Sequence, residues 1–211
     1  MKRLRYAAVV VAVVSLLGVP GQAQNESTDQ TPDVAAAIVQ ALTSVNKPAT
    51  KLEAFAQRKN AIIVKGFTPV ANVPGEDGAA LQVTAAEFQD ITNQAKEYGL
   101  VIDVIAGQNH GSTAYIDYDE IDALASALDY LQKADKNITT LSNFEAQYRT
   151  RGDLWLTNYN ENGGRMIAIR SIQISPLGQI NSALAYFRPA SLGDIHQQVL
   201  AAKQILDKLR G

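Results

Sequence analysis

The spacing of apolar residues along this chain alternates between a period of two and a period of three to four, and does so twice. In the later half, residues 144–150 and 153–160 are runs of β-favouring side chains around a short Arg151-Gly152 turn. Asn162-Gly163-Gly164 supplies turn residues that tolerate positive φ, and a strand over 165–174 follows. There Ile167 and Ile169 fall in one phase and Ile172 and Ile174 in the other, a slip that predicts a β-bulge near Arg170-Ser171. Pro176-Leu177-Gly178 then turns the chain into a strand over 181–188. The earlier half predicts strands over 52–57, 61–69, 99–106 and 112–117, with long loops at 69–78 and 107–112. Residues 84–98 carry two patterns: Thr84-Ala85-Ala86-Glu87 resembles a capping box ahead of helical spacing, while the counterpart segment reads as a strand. The favoured reading is a long hairpin, 79–91 followed by 98–106.

Each half ends in an amphipathic helix. Asp117 stands as a cap with Glu120 three residues on, and Ile121, Leu124, Leu128 and Leu131 form a stripe. Ser191 and Asp194 repeat that arrangement before Leu192, Ile195, Val199, Ala202, Leu206 and Leu209, and Lys203, Lys208 and Arg210 crowd the end where the dipole favours cations. An opening helix is expected from Thr31-Pro32-Asp33 through Val45.

The halves also align. Residues 52–67 lie over 144–159 without a gap, matching Glu53-Ala54 to Glu145-Ala146 and Phe67 to Tyr159. Residues 114–124 lie over 185–195, sharing Ala-Tyr. The expected fold class is α+β: an antiparallel sheet built from two tandem β-rich repeats, each closed by an amphipathic helix, plus an N-terminal helix. The expected organisation is a signal peptide over 1–23, an N-terminal segment over 24–50, and repeats over 51–135 and 136–211 in one compact domain.

Composition changes this picture at the N-terminus. Lys2, Arg3 and Arg5 precede an apolar stretch from Ala7 to Leu17, then Pro20 and the small residues around Ala23, the pattern of a cleaved secretory signal. That stretch is well short of the roughly 20 residues that span a bilayer, so a periplasmic or secreted location without stable membrane insertion is expected. Three of the 19 basic residues and none of the 21 acidic ones fall in 1–23, leaving 16 basic against 21 acidic, net −5. That balance, with no basic run, argues against nucleic acid as a partner. With no cysteine, neither disulfides nor thiolate zinc sites are available.

Candidate chemistry is sparse. His196 falls beside the apolar stripe of the last helix, and His110 sits in a glycine-flanked Gln-Asn-His-Gly-Ser loop with Asn109. The two show no spacing that pairs them around a metal or with a serine. Asp117, Asp119, Glu120 and Asp122 read as cap and first-turn charges rather than a calcium cage. Asn158, Asn160 and Asn162 read as a hairpin tip. No nucleophile elbow, phosphate loop or dinucleotide fingerprint occurs, and neither a catalytic residue, a metal nor a cofactor is assigned. The aromatics Tyr115, Tyr118, Trp155, Tyr159, Tyr186 and Phe187 recur at matching places and are expected mainly in the core; turned outward, they would make an adhesive sheet face. The candidate ligand-binding set is His110, Asn109, Tyr115, Trp155 and Tyr159.

The segments AIIVKGF, YGLVIDV, AYIDYDEIDAL and RGDLWLTNY resemble a group of exported bacterial proteins built on a domain of unknown function, over residues 52–209. The resemblance implies a cell-envelope or secreted domain and brings no active-site residues with it. Three uses stand open on the sequence: a non-enzymatic protein binding a protein or small-molecule partner through a sheet face or hairpin loops, a hydrolase-like enzyme joining His110 to acids from both repeats, or a structural envelope component.

Overall fold

Thr50 caps the first described element, because its hydroxyl accepts the N–H of Glu53 at 3.1 Å. The computed structural model describes residues 47–107, 110–135, 137–161, 163–174 and 179–211; the expected signal segment and the opening helix lie outside them. The capped element is a short helix α1 (Lys51–Ala56), where strand was expected over 52–57. Thr50 and Glu53 form the T-x-x-E pattern of a helix start, and that local preference prevails over the apolar run.

Four antiparallel strands follow in sequential order: β1 (Ile63–Pro74), β2 (Ala80–Asp90), β3 (Lys96–Ile105) and β4 (Gly111–Asp117). The long hairpin over 84–98 therefore forms. Thr84 to Glu87 bond to β1 on one side and β3 on the other, so a central strand absorbs the helix-like Ala-Ala-Glu. β1 runs five residues further than expected, and its turn shrinks to residues 75–79.

A 3₁₀ turn (Tyr118–Glu120) leads into helix α2 (Ile121–Lys133). A second antiparallel meander contains β5 (Phe144–Arg149), β6 (Leu154–Glu161), β7 (Gly164–Ile174) and β8 (Ile180–Phe187), and helix α3 (Ser191–Arg210) closes the chain. The architecture is α+β with two similar four-stranded sheet units. In α3, Ala190 is the cap position and makes no side-chain cap bond, so the expected Ser191–Asp194 cap does not form.

Two alignments fare differently. Residues 114–124 and 185–195 both run from a final strand into a closing helix. The block 52–67 instead spans α1 and the start of β1, while 144–159 spans β5 and β6. That match is one strand out of step. The expected bulge at Arg170-Ser171 is also absent, since β7 pairs without a register shift. Ser171 faces the core, where its hydroxyl meets that of Ser112 at 3.1 Å. A serine at a core position breaks the apolar parity without bending the strand.

The closing helices cross between units. α3 lies on β1, β2 and β3 of the first sheet, whereas α2 packs on α3 and against β5 and β6 of the second. The inner faces of β3–β4 and β7–β8 meet between them. One apolar cluster thus joins Leu81, Leu100 and Ile116 to Leu156, Ile169 and Phe187, with Leu128 and Val199 from the two helices. Asn158 and Arg165, expected at or near a hairpin tip, point inward. The Asn158 amide donates to the carbonyls of Leu131 and Ala134, and Arg165 donates to those of Leu131 and Gln132. These bonds satisfy carbonyls that the end of α2 leaves open.

Candidate functional site: the outer face of the second sheet

Alternation along a strand sends successive side chains to opposite faces, and the two units treat their outer faces differently. On the first sheet, α1 covers much of that face: Leu52 and Phe55 pack on Ala86, Phe88 and Val101. Tyr115 belongs to this covered region and meets Phe88 edge-on at 6.4 Å, and burial pushes its hydroxyl above the usual tyrosine range. No described element covers the outer face of β5–β8.

The pairing registers arrange that bare face in rows. Arg149, Trp155, Arg170 and Leu184 form one row, and Gln147, Thr157, Ala168 and Tyr186 the next. Glu145, Tyr159 and Met166 form the third. Ile172, Ile174 and Ile180 extend it at the opposite end. Leu184, Tyr186 and Ile180 are 43%, 41% and 69% exposed, a level of exposure that single surface residues show but a buried core face does not. The Arg149 guanidinium lies 4.5 Å from the Trp155 ring centre and is held by Asp153 through a 2.6 Å hydrogen bond. The Trp155 indole N–H is closed off from solvent and has no acceptor among the described residues. Desolvation, then the nearby Tyr186 and Glu161, raise the Tyr159 hydroxyl. Of the six aromatics expected mainly inside, only Phe187 is fully buried; Trp155, Tyr159 and Tyr186 turn outward.

The candidate ligand set therefore divides. Trp155 and Tyr159 share the bare face. Tyr115 lies at the edge of the other sheet, lining a cavity of about 60 Å³ with Gly152, Ile172 and Ile174, too small for the roughly 300–1,000 Å³ of a metabolite site. His110 ends the β3–β4 turn with an exposed side chain that forms no hydrogen bond or ion pair among the described residues. The meeting of His110 with a carboxylate that the hydrolase reading requires is not formed there. Asn109 lies outside the described residues.

The densest group of charges has a structural task. Asp117 caps not its own helix but α1, accepting the N–H groups of Lys51 and Leu52 at 3.0 and 2.9 Å. Glu120 accepts the backbone N–H of Arg151 at 2.7 Å. Asp119 receives Lys51 Nζ at 2.7 Å and also the Arg151 guanidinium, and these two cations hold its carboxyl below the ordinary range. The Arg151-Gly152 turn of the second unit is thereby clamped to the strand-to-helix junction of the first. Among the described residues, no group of three or more histidine or acidic side chains could hold a metal ion, and no helix is long and apolar enough to cross a membrane.

No family model matches this chain, and no curated protein matches it.

Proposed function

We propose that this chain is an exported, non-enzymatic interaction protein whose partner docks on the outer face of β5–β8. The observation that carries the reading is the bare, ordered sheet face bearing Trp155, Tyr159, Tyr186 and Leu184 beside Arg149 and Arg170. Trp, Tyr, Met and Arg are the residues enriched where proteins meet and where binding energy concentrates. A flat sheet suits a protein partner, whereas a metabolite needs a concave pocket. Export rests on the basic start, the apolar stretch and the small residues near Ala23, and a place among exported envelope domains rests on the resemblance. Duplication of one sheet-and-helix unit is the simplest origin for the two similar meanders, with residues 114–124 and 185–195 as its trace.

The test is hydrogen exchange on the chain with and without envelope extract. Slower exchange confined to β6–β8, abolished by Tyr186→Glu, is the expected result. Unchanged exchange with every extract fraction would remove the reading. Cell fractionation with N-terminal sequencing tests export, and an uncleaved cytoplasmic product would refute it.

A further inference from the structure

We propose that the outer face of β5–β8 pairs with the same face of a second copy of this chain, the two sheets related by a two-fold axis that lies between them and runs across the strands. This rests on the reading of that face as a partner surface and supplies the partner.

The charges of this face are segregated along the strands. Going up the strands, the row containing Arg149 and Arg170 is followed by a neutral row with Thr157, Ala168 and Tyr186, and then by Glu145, with Glu161 beyond it. Arginines lie toward one end of the face, Arg149 there paired with Asp153 and Arg170 free of an ion pair among the described residues, the acids lie toward the other end, and the row between them is uncharged. Glu145, Glu161 and Arg170 belong to no ion pair among the described residues. An axis along the strands would place arginine over arginine. An axis across them reverses the strand direction and sets Arg149 of one copy over Glu145 of the other, and Trp155 over Tyr159. Self-complementarity of this kind is what an isologous contact requires, and complementary charge fixes its register. Aligned face-to-face packing is the ordinary way in which two sheets meet. The Trp155 ring, with the Arg149 guanidinium over it at 4.5 Å, lies in the row that faces Tyr159 of the second copy.

Area sets the strength. Four strands about 4.8 Å apart, over rows spanning about eight residues at about 3.4 Å each, give a face of roughly 500 Å² per copy. Two such faces bury about 1,000 Å², the lower limit for a specific interface. An interface at that lower limit makes a weak, concentration-dependent dimer, and exposed Tyr186 and Leu184 keep the monomer prone to pairing.

Sedimentation velocity on the 211-residue chain, from about 1 to 300 μM, is the experiment. Reversible dimer formation is expected, with Tyr186→Glu weakening it at least about tenfold. Glu145→Arg alone and Arg149→Glu alone should each weaken it, because each sets like charges face to face. The double variant should recover it, because the pair is exchanged. Leu184→Glu gives a second disruption that leaves the Arg149–Asp153 contact untouched. A monomer throughout, a dimer indifferent to Tyr186→Glu, or a double variant no better than its parents each overturns self-pairing. If the chain is monomeric yet β6–β8 gain exchange protection from envelope extract, self-pairing fails and the partner-surface reading stands. If it is monomeric without such protection, both fall. A monomer with this face already protected would identify its own residues 24–46 as the occupant and also overturn the proposal.

Discussion

Replacing Gly152 by alanine tests whether the two units are locked through the Arg151-Gly152 turn. A Cβ at this position would stand 2.1 Å from the carbonyl oxygen of Tyr115 and 3.2 Å from a methyl of Thr50. Backbone cannot swing aside as a flexible side chain can, so the turn must retreat from β4 by about 1 Å, an overpacking strain of roughly 1–3 kcal/mol. That retreat stretches the 2.7 Å bond from Arg151 N–H to the buried Glu120 carboxylate, and a lost hydrogen bond to a charged group costs about 1.5–3 kcal/mol. Together they predict a loss of about 3–5 kcal/mol from a total stability of roughly 5–15. In urea this is a fall in midpoint of about 2 M at unchanged slope. Two other glycines calibrate the result. Gly163 has φ +80 and open space around it, so Gly163→Ala should cost only the left-handed penalty of about 1–2 kcal/mol. Gly66 has its nearest neighbour at 3.9 Å, and Gly66→Ala should change stability by no more than about 0.5 kcal/mol. A Gly152→Ala loss below 1 kcal/mol, or one smaller than that of Gly163→Ala, would refute the close-approach argument.

Asn158→Ala should destabilise by about 2–3 kcal/mol, since it strips buried donors from the end of α2, while Asn160→Ala, at a half-exposed site on the same strand, should be nearly silent; equal urea midpoints for the two would contradict this. Asp119 has a folded pKa below its unfolded value of about 3.9, so the stability it contributes is present above that pH and is lost as pH falls through the folded value. Thermal midpoints taken from pH 7 to 2 should decline below about pH 4, less steeply for Asp119→Asn and less steeply in high salt, and identical slopes would exclude the Lys51–Asp119–Arg151 cluster as a cause. Because α3 covers the first sheet and α2 the second, neither fragment 47–135 nor fragment 136–211 should unfold cooperatively alone, while an equimolar mixture should regain near-ultraviolet circular dichroism. A cooperative transition in either isolated fragment would disprove that shared burial.

What could be read from the sequence follows the range of the forces involved. The closing helices were legible because their stripes at spacings of three and four are local, and the β2–β3 hairpin was favoured because alternation there outweighed a weak helix signal. α1 carried its own announcement in Thr50 and Glu53, masked by the alignment that laid residues 52–57 over a strand. That alignment slipped because β1 and β6 share an apolar alternation, and nothing within either distinguishes a first strand from a second. Ser171 misled for another reason: its hydroxyl finds a buried partner 59 residues away, which no local pattern displays. The opposition of Trp155 and Tyr159 to Leu154 and Leu156 was present in the alternation of β6, but alternation cannot tell which side of a sheet is covered.

The second sheet is bare among the described residues because of where the helices are spent. A stripe on a helix states that the helix is buried, not against what, and here both closing helices are consumed by the inner faces. Among the described residues, only α1 remains to serve an outer face, and it is tied to the first sheet by the two backbone bonds to Asp117. The contrast between the equivalent tyrosines is then direct: Tyr115 on β4 rests beside the cluster under α1, while Tyr186 on β8 is 41% exposed. Exposed apolar residues grouped on a sheet invite association, and arginines toward one end of this face with glutamates toward the other give that association a direction. Two units alike in their strands thus differ in the covering of their outer faces among the described residues, and it is on the uncovered one that a partner finds Tyr186, Leu184 and Arg170 exposed.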